Sequence, residues 1–113
     1  MKQKLAIPVD SSGKLDEHFG HCKYFILIDI DDQYIISREQ VKPPPHEPGL
    51  LPKWLAERGA SAIIAGGMGR KAIHLFNQYG INAYVGAPVL NAEELAERFL
   101  KGTLEFSANY CNH

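Results

Sequence analysis

Residues 62–80 read AIIAGGMGRKAIHLFNQYG, and the fold follows from this stretch. Ala62 to Ala65 is a short apolar run with two β-branched residues, the pattern of a buried strand. Gly66-Gly67-Met68-Gly69 is a tight turn. Ala72, Ile73, Phe76 and Tyr79 then recur at helical spacing, and Gly80 stands where a helix closes. A second apolar run, Ile81 to Val85, completes a β-α-β unit. Such a unit implies two parallel strands joined by a right-handed crossover.

The flanks extend the same pattern. Downstream, Asn91 with Glu94 three positions on makes a capping arrangement for a last helix through Leu100, with Leu95 and Phe99 four apart. Upstream, Leu51, Trp54 and Leu55 fall on one helical face, with Gly59 at the C-terminal cap. Pro43-Pro44-Pro45-His46-Glu47-Pro48-Gly49 is a stiff loop, because proline fixes φ and removes donors. Leu5 to Val9, Tyr24 to Ile30 and Tyr34 through Val41 read as three strands. Only Asp31-Asp32 and a neighbour separate the last two, so these form an antiparallel hairpin.

The order β-β-β-α-β-α-β-α predicts an α/β fold, with a five-stranded mixed sheet and helices on both faces. Strand order 3-2-1-4-5, with strand 2 antiparallel to the rest, satisfies the crossover rule. Strands 1 and 4 are then neighbours whose chains leave in opposite directions. The crevice outside their carboxyl ends is the switch point where open α/β sheets bind ligands.

The chain has 113 residues, 45% apolar and 22% charged, enough for the core of one domain and not two. The domain is expected over 1–113, with its core at about 4–101 and a tail at 102–113. A net charge of −1 argues against nucleic acid as the main partner. No apolar run is long enough to span a membrane. The N-terminus lacks the apolar region of a signal peptide. Two cysteines, Cys22 and Cys111, are too few for a disulfide scaffold, which points to a reducing cytoplasm.

The polar chemistry collects at the switch point. His18-Phe19-Gly20-His21-Cys22 follows strand 1 and offers imidazole and thiol groups suited to iron–sulfur, copper and zinc centres. The same residues also read as loop histidines bonded to backbone carbonyls and a small buried cysteine. His46 lies in the proline loop after strand 3, on the same sheet edge. Cys111 and His113 could add ligands from the tail, although a terminal dozen residues is more often mobile. Gly66, Gly67, Met68 and Gly69 lead into a helix whose first turn holds Arg70 and Lys71. Those cations oppose the helix dipole, a placement that makes sense beside a bound anion. Alternatively the glycines only permit close strand–helix packing. Gly67-x-Gly69-x-x-Ala72 also fits a dinucleotide pattern, but no acid ends the next strand, and no P-loop spacing occurs.

These motifs together, strand then His18-Phe19-Gly20, Phe25, and Gly66-Gly67-x-Gly69 before a helix, resemble the dinitrogenase iron–molybdenum cofactor-binding family. That family includes NifX, NafY, the C-terminal domain of NifB, stand-alone relatives, and the orange protein with its molybdenum–copper sulfide cluster. The resemblance covers residues 4 to 101 and implies a three-layer ribonuclease H-like fold. It further implies a non-enzymatic carrier of an anionic metal–sulfur cluster, iron–sulfur or molybdenum-containing. By resemblance His18 is the cluster contact, with Phe19 and Gly20 beside it, and the glycine turn supplies backbone donors. His21, Cys22, His46, Cys111 and His113 are metal-ligand candidates by chemistry and position. A cluster-synthesising or cluster-accepting protein is the implied partner.

Two other functions compete. A metal-dependent nuclease would need several converging carboxylates. Asp10 ends strand 1, yet strand 4 ends in Ala65-Gly66-Gly67 without an acid. A regulatory module binding a nucleotide or small anion at the glycine turn is the alternative reading.

Overall fold

The computed structural model describes residues 2–16, 22–45 and 49–106. Strands β1 (Lys2–Val9), β2 (Tyr24–Asp31) and β3 (Tyr34–Val41) precede helix α1 (Leu50–Glu57) and strand β4 (Ala62–Ala65). Helix α2 (Arg70–Gln78), strand β5 (Asn82–Val85) and helix α3 (Ala92–Lys101) complete the order. The sheet runs β3-β2-β1-β4-β5. β2 is antiparallel to β1 and β3, while β1–β4 and β4–β5 are parallel. Fold class, strand order and the antiparallel second strand all match the sequence expectation.

The hairpin turns at Asp32 and Gln33, with φ of 54° and 75°. Two consecutive left-handed residues suit the right-handed twist of the flanking strands. β1 begins three residues before the apolar run. Lys2 to Lys4 lie opposite Asp31 to Asp29 on β2, so pairing rather than burial carries the strand outward. β5 begins one residue later than expected, because Ile81 N–H is taken by the Phe76 carbonyl at 2.9 Å in the helix exit.

Strand residues alternate between two buried layers, so the sheet divides the one core expected from composition. Ala6, Phe25, Leu27, Ile63 and Ala65 face α1 and α2, joining Leu51, Leu55 and Phe76. Leu5, Ile7, Val9, Ile26, Ile28, Ile30, Ala62 and Ile64 face α3, joining Leu95 and Ala96. On α1, Pro52 sits in the first turn, where its missing N–H costs nothing. Trp54 packs against Phe25 with ring centroids 5.9 Å apart, and the Arg58 guanidinium lies over the Trp54 ring, 4.7 Å from its centroid. Tyr79, placed on the apolar face of α2 by its spacing, is 45% exposed. The helix has ended at Gln78, so the periodicity no longer applies to it.

α3 is capped at both ends. Asn91 Oδ1 accepts from Glu94 N–H at 2.8 Å, and Gly102 takes the left-handed closing conformation at φ 72°. Glu93 and Glu94 in the first turn, with Arg98 and Lys101 in the last, complement the helix dipole. Among the described residues no helix is long and apolar enough to cross a membrane.

Phe25→Ala, which empties a fully buried site, is expected to lower stability by about 3–5 kcal/mol. Asn91→Ala should cost about 1 kcal/mol through the lost cap. Urea denaturation, with midpoints falling at constant slope, checks both.

Candidate functional site

The parallel contact between β1 and β4, Leu5 on Ala62 and Ala6 on Ile63, places the ends of both strands at one sheet edge. The exits diverge. After β1, Asp10 Oδ1 accepts from Ser12 N–H at 2.8 Å, Ser12 Oγ at 2.6 Å and Lys14 N–H at 3.2 Å. These bonds fold the chain toward α3, where Leu15 N–H donates to the Leu90 carbonyl at 2.9 Å. Leu15 is buried in the α3 layer. After β4, the glycine turn leads instead to α2, on the opposite face. The two exits therefore diverge at the switch point, the place where open α/β sheets bind their ligands.

The turn after β5 braces this edge. Gly86 N–H donates to the carbonyls of Ala65 and Gly66, each at 3.0 Å, and Ala87 N–H to Ala65 at 3.1 Å. Sequence reasoning gave the Gly86 turn no role at the edge. Its position after a strand parallel to β4 was the available signal.

Met68 is 4% exposed and packs in the α1/α2 layer, which anchors the glycine turn from below. Glycines divide into two groups here. Gly13, Gly49, Gly59, Gly80, Gly86 and Gly102 take positive φ, where a side chain would be strained. Gly66, Gly67 and Gly69 do not, so backbone conformation leaves their identity unexplained. Gly69 has φ −74°, and a Cβ added there would meet nothing within 4 Å. Close packing does not demand this glycine either.

Gly69 is the N-cap of α2, with no side-chain cap bond and no acid in the first turn. Arg70 and Lys71 occupy that turn, both exposed. Lys23 at the start of β2, Lys42 after β3 and Lys14 after β1 add exposed cations to the same edge. Among the described residues Asp10 and Asp16, with Glu93 and Glu94 in the first turn of α3, are its nearby acids. The Ser12 side-chain and backbone hydrogen bonds, with a smaller part from Lys14, hold the Asp10 carboxyl below its usual range. The cations nearest the glycine turn are thus Arg70 and Lys71, in the first turn of α2.

Cys22 precedes β2 at this edge. Of the two readings of this residue, the small buried cysteine matches the structure: it is only 8% exposed and belongs to the layer that holds Met68 and Phe25. Its layer is not the one that β2 alternation would give, since Ile26 and Ile28 face α3, so the chain before Tyr24 departs from the strand period. Burial first, and the Asp16 charge second, push its thiol up to about 12. It is a neutral thiol at pH 7, and a metal that took it as thiolate would have to displace its proton. His18, Phe19, Gly20, His21, His46, Cys111 and His113 lie outside the described residues. Among the described residues no three His, Cys, Asp or Glu side chains converge on a point. His74, within α2, is exposed and lies 3.2 Å from Gln78 Nε2, apart from the edge.

The model of the family described as dinitrogenase iron-molybdenum cofactor matches residues 1–102. An uncharacterised protein of Methanocaldococcus jannaschii is 34% identical over 107 residues, covering 90% of this chain and 89% of that one. The crystal structure of PH0822 superimposes with a TM-score of 0.87 at 29% identity, over 95% of this chain and 96% of the other. The apo form of the orange protein from Desulfovibrio gigas shares the fold, with a TM-score of 0.77 at 24% identity. It spans 94% of this chain and 93% of its own.

The Cys22 thiol makes a pH prediction, tested in a Cys111→Ser background. Its raised folded pKa means that its contribution to stability is complete below about 9 and is lost as pH rises toward about 12. Urea midpoints should therefore fall across that window, and Cys22→Ala should remove that part of the fall. At pH 7 a thiol reagent should label the native protein slowly and the urea-unfolded protein at once.

Proposed function

Because the chain belongs to the dinitrogenase iron-molybdenum cofactor family, we propose that its carboxyl edge receives an anionic metal–sulfur cluster as cargo. The observation that carries this reading is the Gly66–Gly69 turn. Its glycines are required neither by positive φ nor, at Gly69, by a crowded neighbour, so their lack of side chains leaves room for something else. The α2 N-terminus with Arg70 and Lys71 makes that room attractive to an anion. Arg and Lys there raise the local concentration of anionic cargo as well as its affinity.

The residues fit such cargo. Bridging sulfides are acceptors, and the turn supplies backbone donors. Met68 and Cys22 bring soft sulfur to the layer beneath the turn, although neither is at the open surface. His18, with Phe19 and Gly20, is the proposed direct contact. His21, Cys22, His46, Cys111 and His113 are the proposed pool of metal ligands. Cargo is iron–sulfur or molybdenum-containing, and it passes between a cluster-synthesising and a cluster-accepting protein. The protein works as a carrier and not as an enzyme. At the end of β1 the Asp10 carboxylate is engaged by its own turn, and β4 contributes no acid beside it. That arrangement supports carriage over metal-dependent hydrolysis.

Anaerobic titration of the apo-protein, with an iron–sulfur cofactor precursor and separately with tetrathiomolybdate plus Cu(I), tests the reading. A saturable chromophore that co-elutes on gel filtration is the expected result. Gly69→Ala should cost the fold at most about 1 kcal/mol yet weaken cargo binding at least about tenfold, since its methyl enters the vacant space. Arg70→Glu with Lys71→Glu should weaken binding most at low salt. His18→Ala should weaken it without loss of stability. Absence of a chromophore with either cargo, together with thermal stabilisation by a nucleotide, would favour the small-anion regulatory module.

A further inference from the structure

Beyond α3 the chain turns back along the sheet. α3 starts at the carboxyl edge, where Ala92 N–H donates to the Gly13 carbonyl at 3.3 Å. Its last turn reaches the opposite end of the sheet, where Leu100 and Lys101 line a groove with Gln33 and Tyr34 of the β2–β3 hairpin. Gly102, at φ 72°, reverses the chain, and the N–H groups of Thr103 and Leu104 donate to the Arg98 carbonyl at 2.9 and 3.2 Å. Leu104 packs against the α3 layer. Phe106 then stacks on Tyr84, with ring centroids 6.0 Å and planes 28° apart, while Phe99 meets the same ring edge-on at 5.0 Å. Tyr84 is the last residue but one of β5, so by Phe106 the chain is again heading for the carboxyl edge.

We propose that the chain after Phe106 continues as a strap over the carboxyl end of β5 and brings Cys111 and His113 to the Gly66–Gly69 turn, where they close the site over its cargo. The reach suffices. Two residues along β5 lead from Tyr84 to Gly86, about 7 Å, and one strand spacing of about 5 Å leads across to Gly66. Gly86 N–H already donates to the Gly66 carbonyl at 3.0 Å, so the two turns touch. The chain from Phe106 to Cys111 spans up to about 17 Å when extended. Residues two apart in an extended chain face the same side, so Cys111 and His113 present thiol and imidazole together.

The chemistry matches what the described frame lacks. In the carrier reading, on which this inference rests, the turn offers backbone donors to the sulfides of the cargo. For its metal, the soft sulfurs described near the turn are Cys22 and Met68, and both are buried. No three His, Cys, Asp or Glu side chains converge among the described residues. A thiol arriving beside Arg70 and Lys71 is favoured as thiolate, because nearby cations stabilise the anion. The anchor is modest, one ring stacked on another with Phe106 38% exposed. Such a contact opens without unfolding the core, so the strap admits cargo, holds it and lets it go.

A nitroxide on Cys111, in a Cys22→Ala background, tests the placement on the apo full chain by NMR. The label should broaden the amides of Gly66, Gly67 and Gly86 and spare Gly59 and Gln33 at the other end of the sheet. Phe106→Ala should abolish this pattern. Amides of the glycine turn broadened no more than those of Gly59 and Gln33 overturn the proposal. With tetrathiomolybdate plus Cu(I) as cargo, Cys111→Ser with His113→Ala should speed release to a Cu(I) chelator at least about tenfold. Release at the parent's rate overturns the closing role. The label needs no cargo, so the two readings fail separately: a parent without a chromophore strikes the carrier reading, and an unbroadened turn strikes the strap.

Discussion

The parallel pairing of β1 with β4 is the constraint on which the rest of the molecule depends. It joins a hairpin-built half to a crossover-built half across residues that are buried on both faces of the sheet. Leu5, Ile7 and Val9 commit one face of β1 to α3, and Ala6 commits the other to α1 and α2. A shift of one residue would exchange these sets and place the large side chains against the wrong helices. The same contact brings two strand ends together and sends their chains to opposite faces, so the divergence of the exits is a consequence of the core.

Stability and function draw on different parts of this arrangement. The buried layers consist of apolar side chains, and no buried polar or charged residue appears in them among the described residues. Polar contacts lie outside these layers, and at the carboxyl edge turns rather than packing hold the chain. Asp10 rigidifies the exit of β1 by gathering two N–H groups and a hydroxyl, while Gly86 ties the β5 turn to the exit of β4. Glycines at Gly66, Gly67 and Gly69 then stand on a fixed base. A rigid frame around a glycine-rich turn fixes its backbone, which for the cargo proposed above would lower the entropy lost on binding.

Much of this was legible in the residues themselves. The hairpin at Asp32-Gln33, the cap at Asn91 and the glycine turn before Arg70 are local signals, set by φ preferences and nearest hydrogen bonds. Strand order followed from handedness and connection length, which need no distances. Tyr79 and Cys22 were harder. Tyr79 continued the α2 period past the point where the helix closes, and Cys22 entered the core although no apolar neighbour precedes it. In both cases burial depends on where an element stops, and single-chain periodicity fixes ends least well.

The sequence by itself determined the elements, their order and the family to which the chain belongs. Those follow from short-range geometry and from rules of chain connection. Only the tertiary structure decided that Gly69 faces open space and that the Cys22 thiol is buried and held neutral. It alone showed an eight-residue strand with an apolar triplet at one sheet edge and an aromatic cover at the other. Exposure, desolvation and field are sums over neighbours distant in sequence, and they take values only when the chain has closed around its core.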